Sequence, residues 1–218
     1  MSMNFNYDNK VFRALGKLVD CIIISMLWLA LCIPIFTIGA ATTAMYYTIH
    51  KSIKNDKGYM ISEFWAAFKS NFKRATGVWL IQFVILLILS GDCYIMFFVL
   101  QSGSTMGLFF FFFVIMLLYA IMWAIITCCY NARFEVTWKN VLKNSGILAV
   151  AHLPWSFLML LIFVASLVLY MFVPILLFVA PALIFYVYDA ILERIFRKHM
   201  SEADLKKELE DEMLANRD

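Results

Sequence analysis

Between residues 75 and 132 the chain carries a single charged side chain, Asp92. An apolar stretch of that length fits two crossings of a bilayer, since a helix needs about 20 residues to cross about 30 Å of hydrocarbon. The uncharged segment QSGSTMG at 101–107 divides it into runs at 76–100 and 108–131. Two further runs, 146–170 and 174–191, reach or approach the same length. Composition agrees: of 218 residues, 64% are hydrophobic and 15% charged, against about 45–50% and about 25% in soluble domains. The chain is expected to be an all-α, polytopic helical membrane protein whose first partner is the lipid bilayer.

Orientation follows from the basic residues, which stay on the cytoplasmic side. They fall in four sections: Lys10, Arg13 and Lys17; Lys51, Lys54, Lys57, Lys69, Lys73 and Arg74; Arg133, Lys139 and Lys143; and Arg194, Arg197 and Lys198. The connections at 101–107 and 171–173 hold none. Both termini are therefore expected in the cytoplasm, and the apolar section 18–50 must cross an even number of times. Its centre reads CIPIFTIGAATTAMYY at 32–47. Pro34 disfavours helix in the residues before it and offers no N–H. The reading is a broken helical hairpin that spans narrowly or re-enters, its arms about 18–33 and 38–50, each about 20–24 Å at 1.5 Å per residue. Thr37 is the expected N-cap of the second arm. Gly39 with Thr43, and Ala40 with Ala44, place small residues four apart, as close helix contacts in membranes prefer. The alternative is that the helix start at 37–40 offers its N–H groups to an anion or substrate.

Residues 60–74, MISEFWAAFKSNFKR, place Ile61, Phe64, Trp65, Phe68 and Phe72 on one face, with Lys69, Lys73 and Arg74 towards the next run. That pattern predicts a helix lying in the interface, or one docked on another membrane protein. Val11, Phe12, Leu15 and Leu18 suggest a second short interfacial helix. The tail 201–218 reads as a solvated cytoplasmic helix, with Ser201 and Asp204 resembling a capping box. Leu31 stands before Cys32 where a lipoprotein cleavage site would need a small residue, so the first apolar run is expected to stay uncleaved.

Few residues carry chemistry. Asp92 is the acid well inside a run, and intramembrane acids are functional candidates by default. Its height, about 24 Å from the inner start of the run, places it near the outer interface. Gln82 and Asn131 are expected interhelical hydrogen-bond partners. His152, before Pro154 and Trp155, reads as a hydrogen-bonded span residue, and Asp189 and Glu193 with Arg194 and Arg197 as an ion-pair cluster. The five cysteines form no CxxC pair and read as packing residues. No catalytic constellation can be assembled from these types. No enzyme activity, cofactor, metal or nucleic-acid partner is expected.

The run CIPIFTIGAATTAMYY, followed by EFWAAFKSNFKRAT and later by NARFEVTWKNVLKNS and HLPWSFLML, resembles the YesL-type family of bacterial membrane proteins of unknown function. The resemblance extends over most of 5–200 and is most specific at TIGAA. Ile33 stands where a leucine is usual. Members of that family are often encoded beside sugar-uptake transporters and polysaccharide-degrading enzymes. The resemblance therefore implies a bacterial cell membrane location and a link to carbohydrate uptake, with permease subunits of a sugar ABC transporter as partners. It supplies no catalytic residues. The alternative is a small transporter or channel for a sugar or ion, built on the broken hairpin and Asp92 and acting as a homo-oligomer.

Overall fold

The computed structural model describes residues 10–53 and 59–200. Helices account for nearly all of them, and no strand occurs among the described residues. The protein is an all-α polytopic membrane protein. Among the described residues, four segments are long and apolar enough to cross a bilayer: Leu15–Cys32, Met60–Gln101, Thr105–Arg133 and Leu153–Phe172. The tail 201–218 and its capping box lie outside the described residues.

The first helix, α1 (Lys10–Cys32), has 23 residues and a length of about 34 Å. The expected short N-terminal helix and first hairpin arm are thus one element, because no breaker separates them. The break comes where Pro34 adopts an extended conformation (φ −78°, ψ 122°). A 3-10 turn, Ile35–Thr37, leads into α2 (Ile38–Thr48), and a π-helical turn, Ile49–Ile53, follows. At 11 residues, α2 reaches only about 16 Å. Nine of those residues are buried. The hairpin is therefore unequal: a long α1 and a short α2 enclosed by protein.

The next helix, α3, runs unbroken from Met60 to Gln101 over 42 residues, about 63 Å. The expected interfacial helix at 60–74 is its first third, since nothing between 74 and 76 breaks the helix. Phe64 and Phe68, expected on the lipid-facing side of an interfacial helix, are buried against α1 and α2. Phe72 packs on the same cluster. Trp65 and Lys73 stay exposed. The physical reason is α2 itself: its small residues leave a surface that aromatic side chains must cover. After the turn at 102–108, α4 (Phe109–Arg133) returns alongside α3, with Phe97 and Phe110 in ring contact at 5.8 Å.

The expected span at 146–170 is two elements, α5 (Trp138–Ala151) and α6 (Leu153–Phe172). Pro154 lies in the first turn of α6, where a missing N–H costs little. His152 is the hinge between them (φ −120°, ψ 44°), at a junction rather than inside a span. The run 174–191 also divides, into a 3-10 turn at Pro174–Phe178 and α7 (Ala180–His199). With Asp189, Glu193, Arg194, Arg197 and Lys198 along it, α7 is not among the helices apolar enough to cross by composition. Its buried start is tied to α1: Ser25 Oγ accepts from the Ala182 N–H at 3.1 Å and donates to Val179 O at 3.4 Å. A side chain from another helix thus satisfies one of the amides that a helix start leaves open.

Candidate functional site

The bend at 33–37 is held by its own polar groups. The Thr37 hydroxyl donates to Pro34 O at 2.7 Å and also bonds to Leu31 O. Thr37 occupies the N-cap position of α2, but its side chain makes no capping bond. The expected cap is replaced by a clasp on the preceding carbonyls. The Thr37 amide bonds to Pro34 O at 3.1 Å and the Ile38 amide to Ile35 O, so the 3-10 turn already uses these two donors. Trp79 Nε1 donates to Ile35 O at 2.9 Å. Gly39 lies against α3 so closely that a Cβ there would sit 2.3 Å from Trp79 Cβ and 3.0 Å from Ala75 O. Ala40 is fully buried.

Below the bend, a polar seam joins α2, α3, α4 and α5. Gln82 Nε2 donates to Thr127 Oγ1 at 2.7 Å. Thr127 Oγ1 lies 2.8 Å from Ser145 Oγ, and Trp123 Nε1 donates to Ser145 Oγ at 3.0 Å. Thr43 Oγ1 donates to Cys128 O at 3.4 Å and accepts from Asn131 Nδ2 at 3.5 Å. Arg74 donates to Asn131 O at 3.0 Å and to Val136 O at 3.3 Å. The sequence candidates Gly39, Thr43, Gln82 and Asn131 are therefore brought together. The gap they line leaves no room for a water molecule. Asp92 is elsewhere, half-buried towards the far end of α3, and no hydrogen bond or ion pair joins it to the described residues. His152 is also remote; it faces Trp155, Ile191 and Arg194 in a separate surface hollow.

A second cluster lies where the π-helical turn after α2 and the C-terminal parts of α4 and α7 meet. His50 Nδ1 is 2.8 Å from Asp189 Oδ1 and 3.6 Å from Glu193 Oε1. Arg133 Nε is 3.0 Å from Glu193 Oε1, and its Nη2 donates to Glu193 Oε2 at 3.3 Å. Arg197 Nε is 3.7 Å from Glu193 Oε2. Asp189 and Glu193 are 1% and 5% exposed. Burial of two carboxylates is tolerated only with opposite charge and donors beside them. The ion-pair cluster expected at Asp189 and Glu193 is present, with Arg197 as its same-helix partner. The partners that matter, His50 and Arg133, come from distant segments, and no spacing signal announced them. Lys51 next door pairs with Glu63 at 3.1 Å and with the Tyr47 hydroxyl at 3.2 Å. Partial burial opposes its charge, yet these two bonds hold its pKa above the ordinary lysine value.

A third feature is an apolar cavity of about 330 Å³ bounded by α1, α2, α3, α4, α6 and α7, with Trp28, Trp79, Phe163 and Tyr170 in its wall. Such a cavity suits hydrocarbon rather than water.

No curated protein and no solved structure matches the chain. Residues 21–93, which hold most of α1, the whole bend, α2 and α3 as far as Cys93, match the family model described as "Protein of unknown function, DUF624".

Proposed function

We propose that the protein is a non-catalytic accessory component of the bacterial cell membrane, with both termini cytoplasmic, that partners the permease subunits of a sugar uptake system. The observation that carries this reading is the closed polar seam. Its hydroxyls and the side-chain N–H groups of Gln82 and Asn131 join helices, and the gap around Gly39, Thr43 and Gln82 has no space for water. A transport path for a sugar or ion needs polar groups that face a hydrated cavity. Asp92, the residue on which a transporter reading would rest, stands apart from the seam. The orientation is supported by the charged cluster. It joins His50, Arg133 and Glu193, which belong to or border three of the basic sections assigned to the same side. The link to sugar uptake rests on the family resemblance of the TIGAA region, which lies within the matched residues.

Purification of the tagged protein from its own membrane in a mild detergent tests the reading. Transporter permease subunits are expected to co-purify in amounts comparable to the bait. Repeated recovery of the protein without them would overturn the partnership.

A further inference from the structure

The cluster at the inner ends of α2, α4 and α7 contains more than ion pairs. His50, Asp189 and Glu193 each offer one ligand atom, and the three atoms lie within 4.8 Å of one another. Beside them stands the hydroxyl of Tyr46, one helical turn before His50. Tyr46 is fully buried, its hydroxyl has no hydrogen-bond partner, and it lies within electrostatic reach of Asp189, Glu193 and Arg133. Glu193 Oε1 is a second buried oxygen without an aligned hydrogen bond, although Arg133 Nε is close to it. A buried hydroxyl without a partner is costly, whereas Glu193 Oε1 is charge-paired with Arg133. A cation held between them and His50 removes that cost.

From this geometry we infer that His50, Asp189 and Glu193 form a site for one divalent transition-metal cation. An imidazole nitrogen with two carboxylates is a set that such cations accept. Tetrahedral ligands at about 2.0–2.1 Å from zinc stand about 3.3 Å apart. The 3.6 Å between His50 and Glu193 is close to that edge, and the 2.8 Å between His50 and Asp189 opens by about half an ångström on loading. Arg133 keeps its bond to Glu193 Oε2 while Oε1 turns to the metal. Two carboxylates offset the cation, and Arg133 and Arg197 stay beside Glu193. The site would clamp α2 to α7 and so fix the inner end of the hairpin.

The test uses the full chain in detergent, its affinity tag removed, stripped with a chelator and equilibrated with zinc sulfate. Metal per chain is measured by mass spectrometry, and the cobalt-substituted protein is measured by visible absorption. About one zinc per chain and a tetrahedral cobalt spectrum are expected. Loss of an outer partner alone costs metal sites about 10–100-fold in affinity, so His50→Ala and Glu193→Gln are each expected to lose at least that much. His152→Ala is expected to bind as the native chain does. Failure of the native chain to retain zinc overturns the inference whatever the variants do. So does undiminished binding by His50→Ala, a variant at a partly exposed position.

Discussion

Gly39 shows how tightly single residues are set in this protein. A methyl group there meets Trp79 Cβ at 2.3 Å, so α2 and α3 must part to admit it. Overpacking of this kind costs about 1–3 kcal/mol. Gly39→Ala is expected to lower the thermal unfolding temperature in detergent, and Gly39→Val to lower it further. Gly77→Ala, at a position with open space around it, is expected to change little. Gln82 offers a second test. Its bond to Thr127 is one interhelical contact of the seam, and such bonds in membrane proteins contribute about 0.6–1.7 kcal/mol. Gln82→Ala should destabilise by that order, because the Thr127 hydroxyl keeps Ser145 and the Trp123 carbonyl as partners. The small-residue spacing at Gly39 and Thr43 was legible in the sequence, because periodicity reports which residues share a face. The role of Thr37 was not, since a hydroxyl can cap forwards or clasp backwards and only the path of the chain at Pro34 decides.

At the scale of elements, the charged cluster ties α4 to α7. Arg133 engages both carboxylate oxygens of Glu193, which is 5% exposed. Removal of one partner from a buried pair leaves an uncompensated charge and costs about 3–5 kcal/mol. Arg133→Ala is therefore expected to be far more damaging than Lys51→Ala in unfolding assays. The Lys51–Glu63 pair is partly exposed (43% and 30% of the side chains) and contributes less than about 1 kcal/mol. Its sign with pH is fixed: the raised lysine pKa makes the contribution complete below the ordinary lysine range and lost as pH climbs through the raised value. Where helices start and stop was only partly legible. Apolar runs marked α4 well, and the break at Pro34 was placed correctly. The same signal hid the continuity of α3, because a change from amphipathic to apolar character at 74–76 alters what surrounds a helix without ending it. It also hid the hinge at His152, where an apolar run continues through a change of direction.

Across the whole molecule, the all-α membrane architecture was the most legible property, since it follows from how much apolar surface the chain must place in lipid. The polar interior was the least legible. Gln82 and Thr127 are 45 positions apart, and His50 and Asp189 are 139 apart, so neither pairing leaves a local pattern. Orientation remains open to direct attack. In a chain whose native cysteines are replaced, Lys54→Cys in intact cells is expected to resist an impermeant thiol reagent, whereas Met106→Cys, in the turn between α3 and α4, is expected to react. The reverse pattern would turn the protein over in the membrane. The account as a whole depends on the seam being a structural joint and not a path. Purified protein reconstituted into liposomes should show sugar and ion flux no greater than empty liposomes. Flux above that background that falls in Gln82→Ala or Asp92→Asn would contradict it.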